Sequence, residues 1–186
     1  MIHLLCDPFP ESIHADGLSY PVQTDFRVWL KFAELLENPE QNAAAILQSV
    51  FRFPVRGFSE PLIDAVFSFY HADSLYYQPD NRKEKDSRKE RPLFEWKFDA
   101  RFILGDFRRF YQLDLLHVDY LHWFAFIALF QTLPEESHCM KRIALRSADL
   151  TKIKNKEEKR RIRKLKRLVA LPYVMSSEEI GTAMMK

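Results

Sequence analysis

The stretch DYLHWFAFIALFQTL, Asp119 to Leu133, decides how this chain folds, because its middle, Trp123 to Phe130, carries no charged side chain. A helix that is apolar on every side has to be covered on every side, by its own domain or by a partner. A bilayer crossing takes about 20 apolar residues, and His122 and Gln131 sit close to the ends of this run, so it is too short to be one. The stretch therefore reads as a central core helix or a subunit interface. At least four other amphipathic segments offer apolar faces, which favours coverage by its own domain.

Composition agrees with a helical body. The chain has 186 residues, enough for one core. Only 4 glycines stand against 16 phenylalanines, and few glycines with long apolar runs favour helices over a turn-rich sandwich. Cys6 and Cys139 are too few and too far apart for a disulfide framework or a zinc site. The first residues lack the basic start and apolar run of a secretory signal, so a reducing cytoplasm is expected. Charge is distributed unevenly. Lys152 to Arg167 holds ten basic residues against Glu157 and Glu158, a local +8 that leaves −6 for the remainder of a chain whose net charge is +2.

Outward from the central stretch, the expected architecture is mainly α. It is a compact domain of six to seven helices over residues 24–172, with a β-hairpin at 1–23 and a flexible tail at 173–186. Asp16-Gly17 suits a tight hairpin turn between Ser12–Ala15 and Leu18–Val22, because both residues tolerate positive φ. Such a hairpin is marginal alone and must pack on the helices or extend a neighbouring subunit's sheet. A first helix starts at Thr24 or Asp25, with Phe26, Trp29, Leu30 and Ala33 on one face. Asn38-Pro39-Glu40-Gln41 has the form of a capped helix start, followed by Ala43, Ile46, Leu47 and Val50 on a buried side. Ser59 caps a third helix to about His71, with Leu62, Ile63, Val66, Phe67 and Tyr70 inward.

Asp80 to Arg91, DNRKEKDSRKER, has no apolar residue to offset its ordering entropy, and 78–92 is expected to be a mobile linker. Phe94 to Phe98 alternates as a short strand or leads into a helix from Asp99 to about Gln112. After the central helix comes a more polar one, roughly Glu135 to Leu145. Asn155 to Leu171 is a helix with an N-cap, acidic residues at its start and basic ones later, as the macrodipole favours. Glu157 can pair with Arg161, and Ile162, Leu165, Leu168 and Val169 form a narrow apolar stripe.

Reaction chemistry is not marked. His117 and His122 are five residues apart, which turns them about 140° away from each other on a helix, poorly suited to sharing a metal. His138-Cys139 points two ways and has no second ligand pair. No phosphate loop, nucleophile elbow or zinc-protease motif occurs. No catalytic, cofactor or metal residue is assigned, and the chain is not expected to be an enzyme. The basic helix has three readings: a solvated face, a nucleic-acid site, or a dock for an acidic protein. Lys159, Arg160, Arg163, Lys164 and Arg167 are its candidate partner residues. The acidic remainder and the lack of interleaved aromatics weigh against nucleic acid.

The order of segments resembles the bacteriophage family often called gene product fifteen, from tail modules of long-tailed phages and prophages of Gram-positive bacteria. The carriers are Thr24-Asp25-Phe26-Arg27 with Trp29; Tyr120-Leu121-His122-Trp123 with Ala128-Leu129-Phe130; Arg146-Ser147 with Asp149-Leu150; and Lys152-Ile153-Lys154 through Lys156-Glu157-Glu158 and Lys164-Leu165-Lys166 to Ala170-Leu171-Pro172. They span most of residues 1–172. Asp25, Phe26, Trp29, Tyr120, His122, Trp123, Phe130 and Asp149 are the core and motif residues the resemblance marks. It implies a non-catalytic tail assembly chaperone that binds the tape measure protein, recruits tail-tube protein and works in the host cytoplasm. A homo-oligomer is expected, with no membrane. The rival readings are a structural or tail-completion component and a nucleic-acid-binding module using 152–167.

Overall fold

The computed structural model describes residues 6–36, 42–75 and 92–172. The expected helix start at Asn38–Gln41, the charged segment 80–91 and the tail 173–186 lie outside them. The described residues form seven α-helices and one two-stranded antiparallel hairpin, a mainly α domain.

The hairpin pairs β1 (Ser12–Ala15) with β2 (Leu18–Pro21), Ile13 facing Tyr20 and Ala15 facing Leu18. Asp16 and Gly17 have φ of 51° and 74°, the left-handed pair that matches the twist of a two-residue turn. Its place is against the helices of the same chain. Ile13 is buried, β1 lies on α3 (Glu60–Tyr70), and Ser59 Oγ donates to Asp16 Oδ2 at 2.5 Å. Beyond β2, Val22 bridges Phe51, and the amides of Gln23 and Arg52 donate to the carbonyls of Val50 and Pro21.

α1 (Phe26–Leu36) buries Phe26, Trp29, Phe32 and Ala33. α2 (Ala43–Gln48) is shorter than the pattern suggests and is capped by Asn42, whose side chain accepts from the Ala44 amide. Ala43 is exposed there, while Ile46, Leu47 and Val50 are buried. Ser59 caps α3, which buries Leu62, Val66 and Phe69 and leaves Ile63, Phe67 and Tyr70 half-buried.

α4 (Trp96–Tyr111) settles the ambiguity at Phe94–Phe98 in favour of helix. Glu95 is its N-cap, its carboxylate accepting from the amides of Lys97 and Phe98 at 2.9 and 2.7 Å. The helix starts three residues before Asp99, and Asp99 and Asp106 lie on its buried face beside Ile103 and Phe107.

α5 (Trp123–Gln131) is the centre; it holds the whole apolar run Trp123–Phe130 and is shorter than the stretch Asp119–Leu133 around it. Residues before it are extended because their backbone pairs elsewhere. The Phe26 amide donates to the Leu121 carbonyl at 3.0 Å and the Trp123 amide to the Thr24 carbonyl at 2.7 Å, around a bridge between Asp25 and His122. Trp123, Phe124, Phe126, Ile127 and Phe130 are buried. Phe126 stacks on Phe26 with centroids 4.9 Å apart, and Phe130 lies 5.0 Å from Trp96. Burying each such ring contributes about 2–3 kcal/mol. A nine-residue helix of aromatics has little stability of its own, so packing holds it. Its cover comes from within the chain.

α6 (His138–Ser147) is capped by Ser137 and begins three residues later than Glu135; it packs on α4. α7 (Lys156–Leu168) packs on α6 and ends before Leu171. No helix among the described residues is long and apolar enough to cross a membrane.

Candidate partner-binding surface

Three groups of residues stand out: the joined motifs around α1 and α5, a buried charge cluster, and the basic helix. The first unites residues nearly a hundred positions apart. Besides the backbone pairing above, Thr24 Oγ1 and the Tyr120 hydroxyl lie 2.8 Å apart, and Trp29 Nε1 donates to the Gln23 carbonyl at 2.7 Å. Asp25 accepts from the Arg27 amide and from Arg27 Nη1, while Arg27 Nη2 donates to the carbonyls of Leu115 and Val118. His122 caps α5. Its Nδ1 accepts from the Phe124 amide at 3.0 Å, which leaves the Nε2 proton to donate to the Pro10 carbonyl at 3.1 Å. Burial holds its pKa below the ordinary value, so the ring is neutral in the fold.

His117 lies apart from His122 and pairs with Asp114 at 3.1 Å. His138 and Cys139 are tied to Asp106, whose two oxygens accept from their amides at 3.1 and 2.8 Å and thereby cap α6 from another helix. Burial, then the charges of Asp99 and Asp106, push the Cys139 thiol up to about 12. A thiol held protonated is a poor nucleophile and a poor metal ligand.

The second group was not legible as a site. Asp99 is fully buried, and both of its oxygens are taken by guanidinium groups. Arg146 Nη1 and Nη2 donate to Asp99 Oδ2 and Oδ1 at 2.5 and 2.9 Å, and Arg142 Nε donates to Oδ1 at 3.1 Å. Burial alone would raise the Asp99 pKa. The hydrogen bonds from Arg146, the Glu95 amide and Arg142 outweigh it and hold the carboxyl below its ordinary value. Arg146 also donates to the carbonyls of Leu93 and Val169 at 2.9 and 2.6 Å. One side chain thus joins α4, α6, the segment before α4 and the end of α7. An i, i+4 pair of Arg on α6 opposite an Asp on the apolar face of α4 is the signal that could have found it.

The third group is α7 itself. Asn155 Oδ1 accepts from the amides of Glu157 and Glu158 at 2.9 and 3.1 Å, and Asp149 forms the preceding turn by accepting from the amide and hydroxyl of Thr151. Ile162 and Leu165 are half-buried, Val169 is buried, and Lys166 Nζ donates to the Ala148 carbonyl at 2.7 Å. That contact defines the docked side. Of the five candidates, Arg160, Arg163, Lys164 and Arg167 are exposed, whereas Lys159 is half-buried towards the docked side. Lys156, outside that set, is exposed. Glu157 and Arg161 form no ion pair, though both are exposed and one turn apart. Separately, an open apolar groove of about 360 Å³ runs between α1 and α4, lined by Leu30, Trp96, Ala100, Leu104 and Leu116 among others.

Residues 5–171 match the bacteriophage Gp15 protein family. The chain belongs to that family. It is therefore a phage protein of the structural, tail-related kind. The match takes in the joined motifs, the Asp99 cluster and all of α7. No curated protein and no solved structure matches the chain.

Proposed function

We propose that this Gp15-family protein is a tail assembly chaperone: a non-catalytic protein that binds the tape measure protein in the host cytoplasm and assists recruitment of tail-tube protein. The observation that carries this reading is a family match across nearly the whole described chain, joined to a basic helix whose outward cations have no carboxylate partner among the described residues. A surface of unspent charge suits a protein that meets a partner, because complementary charge speeds encounter. The apolar groove between α1 and α4 supports the same reading, since a chaperone must offer apolar surface to a chain not yet assembled. Self-association, expected from the lone hairpin and the apolar helix, loses both supports, because one chain covers each. Sedimentation equilibrium reads it directly.

The test is coexpression with the tape measure protein of the same phage. A soluble complex that copurifies, with a tape measure protein that precipitates when expressed alone, is the expected result. A tape measure protein equally soluble on its own removes the chaperone reading. Stoichiometric recovery of this protein from purified virions would favour a structural tail component instead.

A further inference from the structure

We propose that the outward face of α7 is a docking surface for an acidic helix of a partner protein. At about 100° per residue, Lys156, Arg160, Arg163, Lys164 and Arg167 fall within an arc of about 100°. That arc lies opposite the side carrying Ile162, Leu165 and Lys166. The five cations run along eleven residue steps, about 17 Å of helix. None forms an ion pair with any described residue, and the carboxylates of α7 itself, Glu157 and Glu158, fall outside the arc. The result is a straight cationic stripe at i, i+4, i+7, i+8 and i+11. An acidic helix laid along it meets the stripe once per turn.

Two observations favour a protein over nucleic acid as the occupant. First, the helix N-terminus, where backbone amides would draw a phosphate, is already closed by Asn155 and carries Glu157 and Glu158, which repel one. Second, Leu168 at the far end of the stripe is 71% exposed. An exposed apolar residue beside a charged stripe suits a side chain on a facing helix and gains nothing from a phosphate backbone. The rest of the chain, at −6, also opposes approach of a polyanion as long as duplex DNA.

The inference rests on the chaperone reading only in taking the partner to be a protein, and its test uses no tape measure protein. The full chain is titrated with a labelled helical peptide carrying Glu at i, i+4, i+7 and i+11 and Leu on the flank. A scrambled peptide of the same composition and a duplex DNA are run at the same ionic strength. The patterned peptide is expected to bind best. Binding should weaken about tenfold or more in Arg160→Glu/Arg163→Glu/Arg167→Glu. It should change less than about twofold in Arg56→Glu/Lys141→Glu/Lys154→Glu, which moves the same charge elsewhere. A peptide with Lys in place of Glu should bind the reversed stripe, provided circular dichroism shows that variant folded. Equal binding of the scrambled peptide, tighter binding of DNA, or no binding of either peptide overturns the proposal. Failure here with a soluble tape measure complex leaves the chaperone reading standing and moves its contact off α7.

Discussion

The Asp99 cluster and the α7 stripe use the same arginine chemistry for opposite ends. In the cluster, the Arg146 side chain is 6% exposed and surrounds one carboxylate with help from Arg142. In the stripe, five exposed cations form no ion pair with any described carboxylate. A buried guanidinium is tolerable only when every donor is used, which makes the cluster a fastening between helices. A solvated cation costs little to display, and its charge remains free for another molecule. The teaching is that charge density along the chain says little about role; burial and partner count decide it.

The largest effect should come from breaking the buried side. Asp99→Ala leaves Arg142 and Arg146 facing each other without the carboxylate, and is expected to cost about 3–5 kcal/mol in urea unfolding. A cost below about 1 kcal/mol would show that the cluster relaxes outward and is no fastening.

Acid should produce the next effect, and its sign follows from two depressed pKa values. The folded pKa of Asp99 is lowered from 3.8, so its stabilisation is present above that value and lost as pH falls through the folded one. His122 is lowered from 6.5 by burial, so stability levels off above pH 6.5 and falls as the unfolded chain gains a proton the folded one resists. Unfolding free energy measured from pH 8 to well below pH 3.8 should decline in two stages, the first below pH 6.5 from His122 and the second below pH 3.8 from Asp99. His122→Asn should remove the stage below pH 6.5, and persistence of that stage would assign it to another group.

The smallest stability effect belongs to the stripe. Arg160→Glu is expected to stay within about 0.5 kcal/mol of wild type. A loss as large as that of Asp99→Ala would mean that α7 is fastened through its outward face, and the comparison between the two regions would fail.

Much of the architecture was legible in the residues. Asp16-Gly17 marked the hairpin because only left-handed backbone closes a two-residue turn of that hand. Ser59 and Asn155 marked α3 and α7 because a side-chain oxygen facing free amides is a local device. Boundaries moved where a distant segment competed for the backbone. Asp119 to His122 belongs to no helix because Phe26 takes the Leu121 carbonyl while the Thr24 carbonyl takes the Trp123 amide at the start of α5, and α6 starts late because Asp106 of α4 caps it together with Ser137.

What the sequence determined by itself is whatever depends on neighbours along the chain: the helical periods, the caps, the apolar centre and the concentration of charge at 152–167. Only the tertiary structure decided which charges are buried. Asp99 and Asp106 look like surface residues until α6 is laid against α4, since the arginines and amides that satisfy them lie more than thirty positions away. The outward half of the basic helix was likewise undefined until Ile162, Leu165 and Lys166 found α6 and its neighbouring turn, because a helix has no outside until something covers its inside.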